Sequence, residues 1–147
     1  MVWHRSHLLR KGRMSEPGRA YLVTTITHGR ARFFADWRVG SIVVRHLERA
    51  PAESLAWVVM LDHVHWLPVL QDTTLAEVMR EMKSRSALEI NRRLGRSGAV
   101  WQKDYYDHAL RDDEDLRVVA RYVVGNPLRA GLVADVGDYP LWNAVWL

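Results

Sequence analysis

The stretch Trp57-Val58-Val59-Met60-Leu61-Asp62-His63-Val64-His65-Trp66-Leu67-Pro68-Val69-Leu70 decides how this chain folds. Leu55 to Met60 and His63 to Leu70 read as two apolar strands, and only Leu61-Asp62 lies between them, which predicts an antiparallel hairpin. Successive side chains on a strand point to opposite faces. His63 and His65 therefore share one face and Val64 takes the other, while Asp62 is expected to point away from the pair. Neutral imidazole is a good ligand for first-row divalent metals, so the shared face is a candidate metal site that needs a further ligand. The same spacing also suits two half-buried histidines with no metal between them.

Working outward, Ala20 to Thr27 is rich in β-branched and aromatic residues and reads as a strand. Asp36 to Arg49 carries Val39, Ile42, Val43 and Leu47 at helical spacing, and Pro51 stops any continuation. Beyond the hairpin, Thr74-Leu75-Ala76-Glu77 has capping-box form and opens a long helix. Its apolar side is Leu75, Val78, Met79, Met82, Ile90 and Leu94; its polar side carries Arg80, Lys83, Arg85 and Arg92. Gly95 to Gly98 is a loop, and Tyr106 to Leu110 a short strand. The acidic run Asp112 to Asp115 suits a helix N-terminus, and the helix it opens runs to about Gly125. Pro127 biases Asn126 away from helical geometry.

The order strand, helix, strand, strand, helix, strand, helix describes an α+β protein. The expected fold is a ferredoxin-like βαββαβ sandwich, complete by Leu110, with an additional C-terminal helix. The 147 residues suit a single domain, 1–147, with 1–18 a basic, irregular N-terminal arm and 128–147 a short, Trp-rich tail packed back onto it.

Composition narrows the chemistry. Cysteine is absent, which excludes disulfides and thiolate metal sites and fits a reducing compartment. No run approaches the roughly 18 apolar residues of a membrane span, and no apolar segment follows the basic start, so neither a membrane partner nor a secretory signal is expected. A cytoplasmic, nucleoid-associated protein fits. The net charge is +4, and eighteen of the 21 basic residues are arginine. Arginine grips phosphate with a planar fork and stacks on bases, and seven tryptophans add stacking candidates. The bland reading is arginine standing in for lysine and tryptophans filling the core.

The last helix carries the second candidate. Its core stripe is Leu116, Val119, Ala120, Val123 and Val124. Tyr122 falls about 120° from the centre of that stripe, with Asn126 about 40° from Tyr122 on the same side. Tyr122 is therefore not placed as a core filler. Tyrosine does serve as a covalent nucleophile, and cations such as Arg121 and Arg129 favour loss of a phenolic proton. An amphipathic surface tyrosine is the competing reading. Tyr105 and Tyr106 are rival nucleophiles, read first as packing or stacking residues; His108 is read first as a surface or packed histidine.

Taken together, these stretches resemble the single-tyrosine transposases of the IS200/IS605 type, and within them the REP-associated subgroup. The resemblance rests on Trp57 to Trp66, Asn91-Arg92-Arg93 with Trp101-Gln102, Tyr106 to Arg111, the run from Tyr122 through Asn126-Pro127-Leu128-Arg129-Ala130-Gly131-Leu132, and Asp138-Tyr139-Pro140. It spans roughly Ala20 to Trp142. Leu61 departs from it, standing where the family pattern has proline. The resemblance implies a metal-dependent endonuclease and strand transferase with the His-hydrophobic-His (HUH) motif. His63, His65 and Asn126 would hold Mg²⁺ or Mn²⁺, and Tyr122 would form a 5′-phosphotyrosine link. The implied partner is single-stranded DNA with a REP-like hairpin, bound by a monomer or homodimer. Arg10, Arg80, Arg85, Arg92 and Arg121 are candidate DNA contacts. Two other readings stand beside this one: a non-catalytic single-stranded nucleic-acid-binding module of the same fold, and a metal hydrolase using activated water.

Overall fold

The structure, a computed structural model, describes residues 4–5, 18–111 and 114–146. Six strands form one sheet: β1 (His4–Arg5), β2 (Tyr21–Ile26), β3 (Ala52–Val59), β4 (His63–Leu70), β5 (Tyr106–Ala109) and β6 (Trp142–Ala144). They lie in the order β1-β5-β2-β4-β3-β6, every neighbouring pair antiparallel. The helices are α1 (Trp37–Arg49), α2 (Leu75–Leu94), α3 (Leu116–Val124) and the single turn α4 (Asn126–Arg129). The four central strands and their two connecting helices make the expected ferredoxin-like sandwich, and α3 is the expected additional helix.

Local chemistry sets the element ends. Asp36 caps α1 by accepting from the Arg38 amide, and the Thr74 hydroxyl accepts from the Glu77 amide at the start of α2. Gly95 ends α2 in the left-handed conformation at φ 60°, which a side chain would strain. Asp115 caps α3 through the Arg117 amide. The β3–β4 hairpin closes over Leu61-Asp62, with the Met60 amide donating to the His63 carbonyl, so leucine in place of proline leaves the turn intact.

Residues directly opposite in antiparallel strands share a face. One row is Val59, Val64 and Thr25, with Trp57, Trp66, Val23 and Asp107 beside it; all are buried, and α1 covers this face, where Gly40 approaches the Val59 side chain. The two long helices α1 and α2 pack against each other. The other face carries the row Val58, His65, Thr24 and Tyr106. Its apolar end, with Val58 and Leu67 fully buried, lies under α3, which rests on β3, β4 and β6 and buries Val119, Ala120 and Val123.

Two expectations need correction, and a third is met in an unexpected form. Leu94 is exposed, and Ser86 is buried in its place on the core side of α2, accepting a hydrogen bond from the Trp101 indole at 3.0 Å. Asn126 is not turned out of helical geometry: it opens α4, because Pro127 sits in the first turn, where its missing N–H costs nothing. The tail does fold back, but through a strand, β6, which pairs with the edge of β3; Tyr139 is buried and donates its hydroxyl to the Val59 carbonyl at 2.5 Å. Burial pushes that phenol up to about 12. Arg10 and most of the 1–18 arm lie outside the described residues, apart from β1, which pairs with β5. Among the described residues, no helix is long and apolar enough to cross a membrane.

Candidate nuclease site

His63 and His65 stand side by side on β4, as the strand alternation requires, with ring centroids 4.9 Å apart and the planes nearly perpendicular. Each ring has its Nδ1 engaged. His63 Nδ1 donates to Asp62 Oδ1 at 2.7 Å, and His65 Nδ1 is paired with the Thr24 hydroxyl at 2.8 Å. Partners of this kind fix the ring orientation, and Nε2 is the nitrogen that each ring would offer to a metal. Asp62 therefore does not point away from the pair. It lies in the turn before β4 rather than on the strand, so strand alternation does not govern it, and its other oxygen is 3.6 Å from Arg30. Partial burial works against the Asp62 charge, but the hydrogen bond and charge of His63, with help from Arg30, hold its carboxyl below the usual range.

His65 is the more enclosed of the two. Burial, then the charges of His63 and Arg129, push its imidazole down to about 3, so it stays neutral and able to ligate throughout the physiological range. Among the described residues no group of three or more His, Cys, Asp or Glu converges on one point. Among the described residues a third protein ligand would therefore be of another donor type, and the amide Asn126 is the sequence-based candidate.

Tyr122 lies on α3 away from the buried stripe and is 38% exposed, as its helical angle predicts. The Asn126 amide nitrogen donates to the carbonyls of Tyr122 and Val123, at 3.1 and 3.0 Å, which leaves its oxygen as the unengaged donor atom. Against Tyr122 sits Arg129. Its guanidinium lies over the Tyr122 ring, 4.3 Å from the centroid, donates to the Tyr122 carbonyl, and is near enough for its charge to act on His65. Arg129 belongs to the run that carries the family resemblance, but its contact with Tyr122 was not foreseen; the signal was its seven-residue spacing from Tyr122, two helical turns, across a glycine.

The rival residues are placed elsewhere. Tyr105 is buried beneath Lys83, and Tyr106 lies two strands from His65 with Thr24 between them. His108 is paired with Glu114 at 3.3 Å on the β5 side. Arg121 lies on α3 beside Tyr122. Arg80, Arg85 and Arg92 lie on α2, which connects β4 to β5; Arg80 and Arg85 line an open groove with Glu77 and Glu81, and Arg85 is paired with Glu81 at 2.5 Å. The structure does not bring these three to the histidine pair.

Comparison with known proteins identifies relatives of this chain. A REP-associated tyrosine transposase of Escherichia coli is 32% identical over 92 residues, covering 61% of this chain and 53% of that protein. A Haemophilus influenzae protein that bears the same name provisionally is 30% identical over 104 residues, 63% of this chain and 59% of its own length. The match thus spans little more than half the length of these relatives. A solved REP-associated tyrosine transposase, bound to a REP hairpin, shares the fold with a TM-score of 0.70 at 24% identity, over 88% of this chain and 79% of that one. The profile of the family described as IS200-like transposases matches residues 19–126, most of the chain, and the chain belongs to that family.

Proposed function

We propose that this chain cleaves and rejoins single-stranded DNA through Tyr122, at hairpins of the REP type carried by its structural relative. The observation that carries the reading is the arrangement of His63 and His65: two adjacent imidazoles, each steered by its own Nδ1 partner, on the sheet face that supports the tyrosine helix.

His63, His65 and the Asn126 oxygen would hold the divalent ion. Two nitrogens and one amide oxygen suit Mn²⁺ better than Mg²⁺, which favours all-oxygen shells. When bound, the ion supplies charge neutralisation at the scissile phosphate. Asp62 and Thr24 keep the imidazoles oriented, and the buried, neutral His65 keeps a lone pair available. The Tyr122 hydroxyl attacks phosphorus and loses its proton; the bond to the 3′ oxygen breaks and that oxygen leaves as a hydroxyl. The 5′-phosphotyrosyl bond retains the energy of the broken linkage, so a 3′ hydroxyl can reverse the step or join a new strand. Because α3 rests on its own chain's β3 and β4, the arrangement favours a tyrosine acting within one molecule. Arg121 would contact phosphate near the nucleophile, and Arg10, Arg80, Arg85 and Arg92 would serve more remote parts of the strand.

A binding module that stacks bases on an open sheet fits less well, because α3 covers the β3 and β4 part of the face opposite α1, where Val58 and Leu67 are fully buried. The test is a denaturing gel of protein, Mn²⁺ and labelled hairpin DNA. A shifted, protein-linked DNA band that disappears in Tyr122→Phe supports the proposal. Cleavage without an adduct points instead to an activated-water hydrolase, and an adduct that survives in Tyr122→Phe removes the nucleophile assignment.

A further inference from the structure

Arg129 is the feature of the site to which neither the proposed nucleophile nor the proposed metal set assigns a role. It reaches back across the break between α3 and α4. One terminal nitrogen donates to the Tyr122 carbonyl, and the guanidinium carbon lies over the Tyr122 ring, 4.3 Å from its centroid. The path is open only because residue 125 is glycine. A Cβ there would lie 2.8 Å from Arg129 Nη1 and 2.9 Å from the Arg121 carbonyl. Gly125 itself has ordinary helical angles, φ −80° and ψ −4°, so it is needed for this close approach and not for backbone freedom. Pro127 in the first turn of α4 fixes the angle at which the chain returns.

We propose that Arg129 is a positioning residue for Tyr122: it clamps the exposed aromatic ring by a cation–π stack and a carbonyl hydrogen bond, holding the side chain in one orientation before DNA binds. A tyrosine on an exposed helix face otherwise exchanges rotamers within nanoseconds. A guanidinium stacked on a ring resists that exchange, and its flat fork allows stack and hydrogen bond at once, which a lysine ammonium does not. The role in cleavage rests on the reading above; the clamp itself does not.

Two measurements separate them. The first uses the full chain labelled with 3-fluorotyrosine and no DNA or metal, which yields one ¹⁹F resonance for each of five tyrosines, that of Tyr122 identified by its loss in Tyr122→Phe. Arg129→Ala should move and sharpen the Tyr122 resonance alone. An unchanged resonance overturns the clamp. The second follows adduct formation in a single turnover at a series of hairpin DNA concentrations with Mn²⁺. Arg129→Ala should slow the saturated rate by about tenfold or more while leaving the half-saturating DNA concentration nearly unchanged, and Arg129→Lys should recover little. Full recovery by lysine, or a loss confined to the half-saturating concentration, makes Arg129 a simple phosphate grip and overturns positioning. If wild type forms no adduct, the nuclease reading fails, while the fluorine spectrum still decides the clamp.

Discussion

The two faces of strand β4 are made from alternate residues of one short segment, yet they do opposite work. Val64 and Trp66 point into the layer shared with α1 and α2 and are almost wholly buried; the Trp66 indole finds a partner in the Ser54 hydroxyl at 2.8 Å. His63 and His65 point the other way, into a face that is apolar under α3 and becomes polar beyond it, where Thr24 and Tyr106 lie. The rigid face would give the proposed reactive face its precision. An imidazole pair on a strand whose other side is locked into a core cannot drift, whereas the same pair on a loop would have to be ordered by its ligand.

This contrast can be broken residue by residue, because the faces are expected to fail differently. The largest effect belongs to the reactive side: Tyr122→Phe should lower adduct formation by about 10⁴-fold or more while the melting temperature and hairpin binding persist, as seen by parallel gel and thermal-denaturation assays. Next comes the core side. Trp66→Ala should cost about 3–5 kcal/mol in urea unfolding, and adduct chemistry should fall only with the folded fraction. A Trp66→Ala protein that is fully folded but inactive would show that the faces are not separable as described. A smaller change, Thr24→Val, removes the hydroxyl that steers His65; Mn²⁺ affinity measured by titration calorimetry should drop about 10- to 100-fold with little loss of stability. Smallest is Asp115→Ala, which deletes the cap of α3 and should cost about 1 kcal/mol of stability, read as a lower melting temperature, with the saturated cleavage rate preserved.

The division between faces was legible in the sequence because β4 alternates cleanly, and a period of two allows only one assignment of His63, Val64, His65 and Trp66. The helices were legible for a similar reason, with Thr74 and Gly95 marking the ends of α2 and the stripe from Leu116 to Val124 placing Tyr122 outside the core. Where periodicity gives out, so did the reading. Three residues, Trp142 to Ala144, are too few to show alternation, and their strand exists only because β3 offers an edge. Asp62 was misassigned because a turn residue obeys no strand parity. Asn126 was expected to leave helical geometry because the restriction imposed by Pro127 is a tendency, which the restart of the helix at α4 overrides. The hydrogen bonds of Ser86 to Trp101 and of Arg129 to Tyr122 depend on tertiary approach, which no local pattern records.

The short β6 strand also has a consequence for handling the molecule. Without it, the Ala56 to Val58 segment of β3 would present unpaired amides and carbonyls next to apolar side chains, the arrangement by which sheets recruit strands from other molecules. Trimming a few residues around Trp142 is therefore expected to turn a well-behaved protein into one that self-associates, even though no residue of the reactive face has been touched.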